Sequence, residues 1–362
     1  MKESSARRSE KVIFAPPPMP RYWRLQMRGR IPTVRQKLRA ALREAKVCYN
    51  ESPDGILSVQ LADDEAARMT SHLGRWLSSE ELEACRARVV AGGTEDLHSV
   101  LEGESLRQVL ARQLTSWLSD LVDEHRLLVH FQPVVPIASP ESLLGHEAFV
   151  RGVSRESEVI FPERLFDSAR EAGLLEDLDR SARRKSLQRS VSHGLEGLLF
   201  MNCHPVAICA ADFVEKLSAD VADAGLTPEM VVLETGWNFL STDSGAMENV
   251  LRNAREKGFA LALDDLGGEP DALRLMKKLA PEYVKVDRAL ISSIDKDPYR
   301  QRLLRDIARL AKPLSIGTIA LGVETPMERA WLESERIGYG QGYLFGHPDQ
   351  EPRSPGQTSI HA

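Results

Sequence analysis

The sequence has little cysteine and no long apolar run. Its four cysteines form no Cys-x-x-Cys pair and have no metal-ligand spacing with histidine, which argues against disulfide-stapled scaffolds and zinc fingers. No segment approaches the ~18 consecutive apolar residues of a membrane span, and the charged first residues lack the apolar core of a signal peptide. We therefore expect a cytoplasmic protein with reduced thiols and no membrane span.

Charge is distributed unevenly, although the formal net charge is only −6. Residues 1–50 contain thirteen Lys and Arg residues against three Glu residues, a net charge of +10, so the rest of the chain carries −16. Such a basic arm most often packs on the acidic body or is solvated, and nucleic-acid binding needs more than charge. Because the sequence has no helix-turn-helix or zinc motif, direct nucleic-acid binding is not expected.

The chain before residue 125 contains no recognisable constellation of chemical groups. We interpret residues 1–20 as a flexible charged and proline-rich leader, and residues 21–124 as a mostly helical regulatory or interaction region of unknown family. A capping box, Ser78-x-x-Glu81, opens one of its helices. The predicted elements are a helix over Thr33–Lys46, a hairpin over Lys46–Leu61, and helices over Glu80–Val90 and Leu106–Glu124.

Residues 125–350 alternate between short apolar strands and helices, and residues 351–362 are interpreted as a flexible tail. Repeated β-α units with continuous apolar strands imply a parallel sheet covered by helices. Eight such strands favour an α/β fold closed into a TIM-like (βα)8 barrel. The predicted strands are Leu127–Gln132, Leu143–Val150, Leu198–Asn202, Val231–Glu234, Ala260–Asp264, Tyr283–Val286, Ile319–Gly322 and Gly342–Phe345. Predicted helices include Pro162–Ala172, Ser244–Lys257, Asp271–Leu279, Arg300–Leu310 and Pro326–Ser334.

Most of these strands end on, or lead into, a polar or charged side chain. A parallel barrel directs the carboxyl ends of its strands to one face, so these groups should converge at one mouth. Converging carboxylates need a cation, and oxygen ligands from Glu, Asn and Asp suit Mg²⁺ or Mn²⁺. An arginine in the same mouth could hold a phosphate, so the pattern predicts a divalent-metal site for a phosphorylated ligand. The groups are Glu147, Arg151, Asn202, Glu234, Asp264, Asp265, Lys285, Asp287 and Gln341.

Six short motifs between about Leu127 and Pro348 resemble, in the same order, those of the EAL domain, the bacterial family that hydrolyses or binds cyclic di-GMP. The resemblance implies a TIM-like barrel with an altered first strand, Mg²⁺ or Mn²⁺, and a product in which one phosphodiester has been opened. The segments are F-Q-P-V-V from Phe131 (similar to YQPIV), E-A-F-V-R from Glu147 (EALLR), F-M-N from Phe200 (xVN), L-D-D-L-G from Leu263 (LDDFG), V-K-V-D from Val284 (LKID) and Q-G-Y-L-F-G-H-P from Gln341 (QGYLFGRP).

The resemblance also implies roles for the residues that match these motifs. The ligands of a first metal would be Glu147, Asn202, Glu234 and Asp264, and Asp265 would serve a second metal. Lys285 would act on the attacking water, so the candidate catalytic residues are Glu147, Asp265 and Lys285. The candidate ligand-binding residues are Gln132 for a guanine edge, Arg151 for a phosphate, and Asp287 and Gln341 beside them.

Two departures from the family pattern bear on activity. In the segment I-A-L-G-V-E-T, Leu321 stands where active relatives have a glutamate that serves the second metal and the activation of water. Glu324 lies an odd number of residues further along the strand, so it should point to the opposite face and is not expected to replace that acid. Trp237 likewise replaces a glutamate that braces the loop after the paired aspartates, and the loop around Gly268–Pro270 has changed too. We expect these losses to remove several decades of rate.

The leading interpretation is a degenerate, catalytically impaired EAL-domain protein that binds cyclic di-GMP and acts through protein partners. One alternative is an active metal-dependent phosphodiesterase that produces the linear dinucleotide pGpG. A second alternative is an adaptor that regulates a transcription factor or another protein without binding nucleotide. By resemblance to the family we also expect a homodimer.

Overall fold

The computed structural model describes residues 22–62, 69, 72–73, 75–90, 100–114, 118, 121–122, 126–154, 157–237 and 244–356. The chain divides into an N-terminal unit, which comprises the residues up to Asp123 together with Asp167–Gly173, and a barrel unit formed by the rest. The predicted leader, the end of the predicted tail from residue 357, and part of the predicted helix Leu106–Glu124 lie outside the described residues. In the described part of the chain, no helix is both long and apolar enough to cross a membrane.

The N-terminal unit contains an antiparallel sheet with helices, rather than a mostly helical arrangement. Its strands follow the order β2-β3-β1-β4-β5. Alternate residues of β1 and β3, such as Leu25 and Val59, face each other across the strands and are buried in the core of this unit. The elements are β1 (Tyr22–Arg28), α1 (Pro32–Glu44), β2 (Tyr49–Glu51), β3 (Leu57–Ala62), α2 (Ser79–Ala84), β4 (Arg86–Val90), β5 (Glu104–Ser105) and α3 (Leu106–Leu114).

The predictions for this unit were right for the first helix, the hairpin and the helix that begins at Leu106, and wrong for Arg86–Val90 and for β1. The capping box of Ser78 and Glu81 is present, but the helix that it opens ends at Ala84. Residues Arg86–Val90, predicted as helix, form β4 because they pair antiparallel with β1. Strand β1 was missed, although its sequence, Y-W-R-L-Q-M-R, alternates between polar and apolar residues as half-buried strands do.

From residue 127 onward, eight strands close into a barrel covered by helices. The sheet runs in the order β6-β14-β13-β12-β11-β10-β9-β7, and pairing of β6 with β7 closes it. Strand β6 is antiparallel to both of its neighbours, whereas the other barrel strands pair in parallel, so the altered first strand is confirmed. The strands are β6 (Leu127–Pro136), β7 (Gly145–Val153), β8 (Val159–Ile160, an extension of the sheet beyond β7), β9 (Leu198–Asn202), β10 (Val231–Gly236), β11 (Ala260–Leu266), β12 (Tyr283–Val286), β13 (Gly317–Leu321) and β14 (Tyr339–Gln341).

Helices alternate with the barrel strands, and all five predicted helices of this region are confirmed to within a few residues. Except for the helix Pro162–Ala172, their apolar faces pack on the outside of the strands in one large core. Short 3-10 turns at Pro228–Met230 and Lys312–Leu314 precede β10 and β13. The helices are α4 (Pro162–Ala172), α5 (Leu175–Ser192), α6 (Pro205–Ile208), α7 (Phe213–Asp223), α8 (Ser244–Glu256), α9 (Pro270–Leu279), α10 (Arg288–Ile291), α11 (Pro298–Ala311) and α12 (Pro326–Ser334).

The last predicted strand is wrong. Leu344 and Phe345 are buried, but they lie in a turn after β14, where the amides of Phe345 and Gly346 both donate to the carbonyl of Gly342. Glycine is needed at 342 because a Cβ there would come within 2.2 Å of the carbonyl oxygen of Val323. A short buried apolar run does not by itself distinguish a strand from a buried turn.

Residues 349–356 run back along the barrel. Asp349 exchanges two backbone hydrogen bonds with Phe131 on β6, and the amide of Gly356 donates to the carbonyl of Glu141 over 3.0 Å. The guanidinium of Arg353 donates to the carbonyl oxygens of Phe345 and Pro140. The part of the predicted tail that the structure describes is therefore tied to the barrel.

Candidate functional site at the barrel mouth

Six of the nine polar residues singled out in the sequence lie in one inward-facing row at the carboxyl ends of the parallel strands: Glu147, Asn202, Glu234, Asp264, Lys285 and Gln341. Inside the barrel, a small apolar cluster forms the floor below them. Because side chains alternate along a strand, the residue two positions beyond each floor residue points into the same interior. Floor and row residues pair along the strands as Phe200 and Asn202, Val232 and Glu234, Ala262 and Asp264, Tyr283 and Lys285, Ile319 and Leu321, and Tyr339 and Gln341.

Lys285 lies at the centre of this row. Its Nζ is 2.5 Å from Oε2 of Glu147 and 2.7 Å from Oε1 of Glu234, and the side chains of the three residues are at most 5% exposed. Burial opposes the charge on Lys285, but Asp264, Glu147 and Glu234 together raise its pKa well above the ordinary value. The mouth therefore contains a permanent ammonium between two buried carboxyl groups.

Glu147 accepts a set of hydrogen bonds that stabilise its ionised form. Asn202 Nδ2 donates to its Oε1 over 2.9 Å, and Gln341 Nε2 donates to its Oε2 over 2.9 Å. Burial disfavours the carboxylate, yet Lys285 and these two amides bring the pKa of Glu147 below its usual range. Gln341 also reaches Gln132 Oε1 over 3.2 Å, so hydrogen bonds link β6, β14, β7 and β9 across the barrel.

The other carboxyl groups of the mouth have fewer partners that stabilise their ionised forms. Burial, and then the charge of Glu147, raise the pKa of Glu234 well above its ordinary value, and its Oε2 has no hydrogen-bond partner among the described residues. Burial raises the pKa of Asp264 to about 6 against the attraction of Lys285. Burial also raises the pKa of Asp265, whose next largest influence is the neighbouring Asp287. The mouth therefore holds more carboxyl groups than a single lysine neutralises.

The oxygen atoms of the row are suitable ligands for a divalent cation, although they are not already arranged around a metal position. Among the described residues, no three Asp, Glu, His or Cys side chains are grouped as metal ligands, and Lys285 lies between two of the predicted ligands. The buried Glu234 Oε2, which lacks a partner, is the kind of acceptor that a cation would satisfy, and Glu, Asp and Asn oxygens are what Mg²⁺ and Mn²⁺ prefer. The assignment of metal ligands stays a prediction.

Two of the predicted ligand-binding residues lie at the edge of the mouth and make local contacts. Arg151 Nη1 donates to the carbonyl of Val150 over 3.0 Å, and its guanidinium lies 5.7 Å from the ring centroids of both Phe149 and Phe161. Phe161 has no motif and was missed from the sequence. Asp287 accepts from the amide of Ala289 over 2.7 Å and so caps the short helix α10. Their predicted ligand contacts therefore stay predictions.

Leu321 ends β13 in the inward-facing row. It pairs with Gln341 in the parallel register and packs, half-buried, against the apolar floor. Glycine 322 follows with a φ of +69° and turns the chain away, so Glu324 lies beyond the strand. There Glu324 pairs with Arg288 over 2.6 Å. The prediction that Glu324 does not take the place of the missing acid agrees with this contact, although the reason is the end of the strand rather than its pleat.

Trp237 makes a contact that the sequence did not suggest. Its indole Nε1 donates to the carbonyl oxygen of Asp265 over 3.0 Å. In the same loop, the amide of Gly267 donates to Oε2 of Glu269 over 3.1 Å. The acid expected at position 237 is absent, but the loop after the paired aspartates is supported by an indole instead.

Curated proteins with known or assigned activities match much of the chain. The cyclic di-GMP phosphodiesterase NbdA of Pseudomonas aeruginosa is 26% identical over 300 residues, which cover 79% of this chain and 38% of that protein. The bifunctional diguanylate cyclase/cyclic di-GMP phosphodiesterase MucR of the same organism is 24% identical over 241 residues, covering 65% of this chain and 35% of MucR. The matched region thus spans well under half the length of these relatives.

Solved structures show the same fold. The EAL domain of FimX from Xanthomonas citri in complex with c-di-GMP superposes with a TM-score of 0.60 at 21% identity, covering 66% of this chain and 95% of that one. The MucR phosphodiesterase in its c-di-GMP complex gives a TM-score of 0.59 at 23% identity, covering 66% and 97%. The family model of the EAL domain matches residues 115–348. The chain therefore belongs to the EAL domain family, whose cyclic di-GMP phosphodiesterases are among its relatives.

Proposed function

We propose that this protein is a catalytically impaired EAL-domain receptor, which binds cyclic di-GMP at the barrel mouth and passes the signal to a protein partner. The observation that carries the proposal is Leu321, a hydrocarbon side chain in the inward-facing row of an otherwise polar mouth. A leucine can neither bind a metal nor polarise a water molecule. The loss of one carboxylate at a two-metal centre should cost several decades of rate.

The binding half of the proposal rests on the groups that the mouth retains. Gln132, held by Gln341 and by the carbonyl of Gly346, would offer its amide to a guanine edge. Arg151, flanked by two aromatic rings, would pair with a phosphate of the ligand, and Asp287 would lie beside them. Relatives of the same fold have been solved with c-di-GMP bound, which supports the choice of ligand.

A divalent ion would be held by the carboxyl and amide oxygens of the row. The candidate ligands are Glu147, Asn202, Glu234 and Asp264 for Mg²⁺ or Mn²⁺, with Asp265 for a second ion. When bound, the ion would neutralise the ligand phosphate and polarise its phosphorus–oxygen bonds. Lys285 would keep its proton and hold Glu147 and Glu234 in place, because its pKa is raised.

Two measurements on one preparation test this proposal. Calorimetric titration with cyclic di-GMP and Mg²⁺ should give a saturable heat, and incubation with Mn²⁺ followed by chromatography should leave the nucleotide cyclic. Conversion to pGpG by the folded wild-type protein would overturn the receptor proposal. No heat at high protein concentration would instead favour the adaptor that regulates a partner without nucleotide.

An active phosphodiesterase is the second candidate, and one observation favours it. The row that contains Lys285 also contains all four predicted ligands of the first metal, Glu147, Asn202, Glu234 and Asp264. Turnover that depends on Mn²⁺ and disappears in Glu147→Gln would establish this candidate. The homodimer expected from the family would be measured separately, by sedimentation with and without cyclic di-GMP.

A further inference from the structure

The unusual feature beside the mouth is the contact between Trp237 and Asp265. Trp237 is the first residue after β10, and Asp265 lies near the end of the adjacent strand β11, where Gly236 and Asp264 are in register. The indole Nε1 donates to the Asp265 carbonyl over 3.0 Å. The half-buried ring packs on the outer core of the barrel, so the position of its N–H is set by that core.

Asp265 has a backbone conformation that needs support. Its φ is +59°, in the left-handed region that non-glycine residues adopt only rarely. Its amide donates to Oδ1 of Asp264 over 2.9 Å, and its carbonyl accepts from Trp237. Both polar backbone groups of Asp265 are therefore held by side chains, one from its own strand and one from the neighbouring strand.

The conformation of Asp265 bears on the mouth because its carboxyl group is close to the charges there. Asp265 is an exposed residue; partial desolvation, Asp287 and Glu147 disfavour the ionisation of its carboxyl group, and Lys285 favours it. Strand β12 pairs with β11 on both sides of an irregularity between Leu263 and Leu266, which contains the two aspartates. A change in the backbone of Asp265 would thus move a charge at the edge of the predicted ligand site.

We propose that Trp237 is a positioning residue, which holds Asp265 in its left-handed conformation and so sets where this carboxylate lies for the ligand. This inference rests on the proposed binding of cyclic di-GMP only for its effect on affinity. Its structural part concerns the loop alone. In this chain the indole of Trp237 supports the loop in place of the glutamate expected at position 237.

The structural part is tested by hydrogen exchange of the peptide covering residues 263–269, without nucleotide. Trp237→Phe keeps an aromatic ring in the core but loses the N–H donor, so exchange in this peptide should become roughly tenfold faster. Trp237→His, which keeps a ring N–H, should recover part of the protection. Trp331→Phe is the matched control, because Trp331 packs on the same outer core under Arg305. Unchanged exchange in Trp237→Phe, or equal acceleration in Trp331→Phe, would overturn the inference.

A double variant separates a positioning role of Trp237 from a role in packing alone. Glycine adopts the left-handed region without strain, so in an Asp265→Gly background the Trp237→Phe change should accelerate exchange by less than in the wild type. Equal acceleration in both backgrounds would mean that the indole packs but does not hold the conformation, and would contradict the proposal.

The functional part is tested by calorimetric titration with cyclic di-GMP and Mg²⁺. Trp237→Phe should weaken binding by roughly tenfold, because a hydrogen bond of ordinary strength no longer organises the loop before the ligand arrives. An affinity equal to that of the wild type, together with faster exchange, would show that this carboxylate does not matter to the ligand. If the wild type itself does not bind, the receptor proposal fails, while the exchange experiment still decides the role of Trp237.

Discussion

Two parts of the barrel mouth are built differently: a buried side on β7, β10 and β12, and an apolar side at the end of the neighbouring strand β13. On the side of β7, β10 and β12, Glu147, Glu234 and Lys285 form a buried cluster whose charges partly compensate each other. On the side of β13, Leu321 presents a hydrocarbon, and the nearby charges of Glu324 and Arg288 pair with each other on a partly exposed surface. The buried side holds charged groups that interact with one another, whereas the apolar side offers no group that could bind a cation, so the two can be tested separately.

The largest effect, on the free energy of unfolding, is expected when the lysine of the buried cluster is removed. Lys285→Met leaves Glu147 and Glu234 buried without a cation, so the free energy of unfolding should fall by about 3–5 kcal/mol. Urea unfolding measures the change. Lys216→Met is the control, because Lys216 pairs with Glu176 and Asp212, whose side chains are 49% and 57% exposed, and loss of such surface pairs costs only about 0–1 kcal/mol. Similar losses in both variants would mean that the central cluster has no special role in stability.

The second-largest effect, on the rate of hydrolysis, is expected when a carboxylate is introduced on the apolar side. Leu321→Glu adds a carboxylate to the inward-facing row, and Mn²⁺-dependent conversion of cyclic di-GMP to pGpG should rise by at least about 100-fold. Chromatography of the nucleotide measures it. Leu321→Met, which keeps a similar volume without a charge, should give no gain. If Leu321→Glu folds and binds the nucleotide but stays inactive, the missing acid is not what limits hydrolysis.

A smaller effect, on the pH dependence of stability, is expected from His146 on the outward face of β7. Next to the inward Glu147, His146 is fully buried, and burial lowers its pKa to about 4. The unfolded chain, with a histidine pKa of ~6.5, binds the proton more readily, so the stability linked to this group is present above that pH and is lost as the pH falls toward about 4. We expect a loss of about 2–3 kcal/mol over this window. Urea unfolding of the wild type and of His146→Leu at pH 7 and 4.5 measures it, and equal losses would exclude His146 as the cause.

The smallest effect concerns the surface pair beside Leu321. Glu324→Gln removes the contact with Arg288, and since both side chains are partly exposed the stability should change by less than about 1 kcal/mol. Affinity for cyclic di-GMP should stay within twofold of the wild type in the same titration. A large loss of affinity would mean that Glu324 contributes to the site after all, and the contrast between the two sides of the mouth would be weaker.

The sequence predicted the barrel better than the N-terminal unit for a physical reason. Continuous apolar strands between amphipathic helices are a strong local signal, and Leu198–Asn202 and Tyr283–Val286 were predicted with their observed bounds. Strand β4, in contrast, exists because Arg86–Val90 pairs with β1, a partner far away in the chain. Pairing between distant segments leaves only a weak trace in local sequence, so β4 was missed, whereas β1 carries an alternating pattern that would have identified it.

For the candidate site, the sequence determined which side chains share the mouth, since strand ends and pleat together dictate that Asn202, Glu234 and Asp264 point the same way. It also determined that Leu321 has no charge to contribute. Only the tertiary structure decided that Lys285 lies between two carboxyl groups, and that Trp237 reaches the carbonyl of Asp265. Such contacts depend on distances between neighbouring strands and on the packing of rings against the core, which no spacing along the chain specifies.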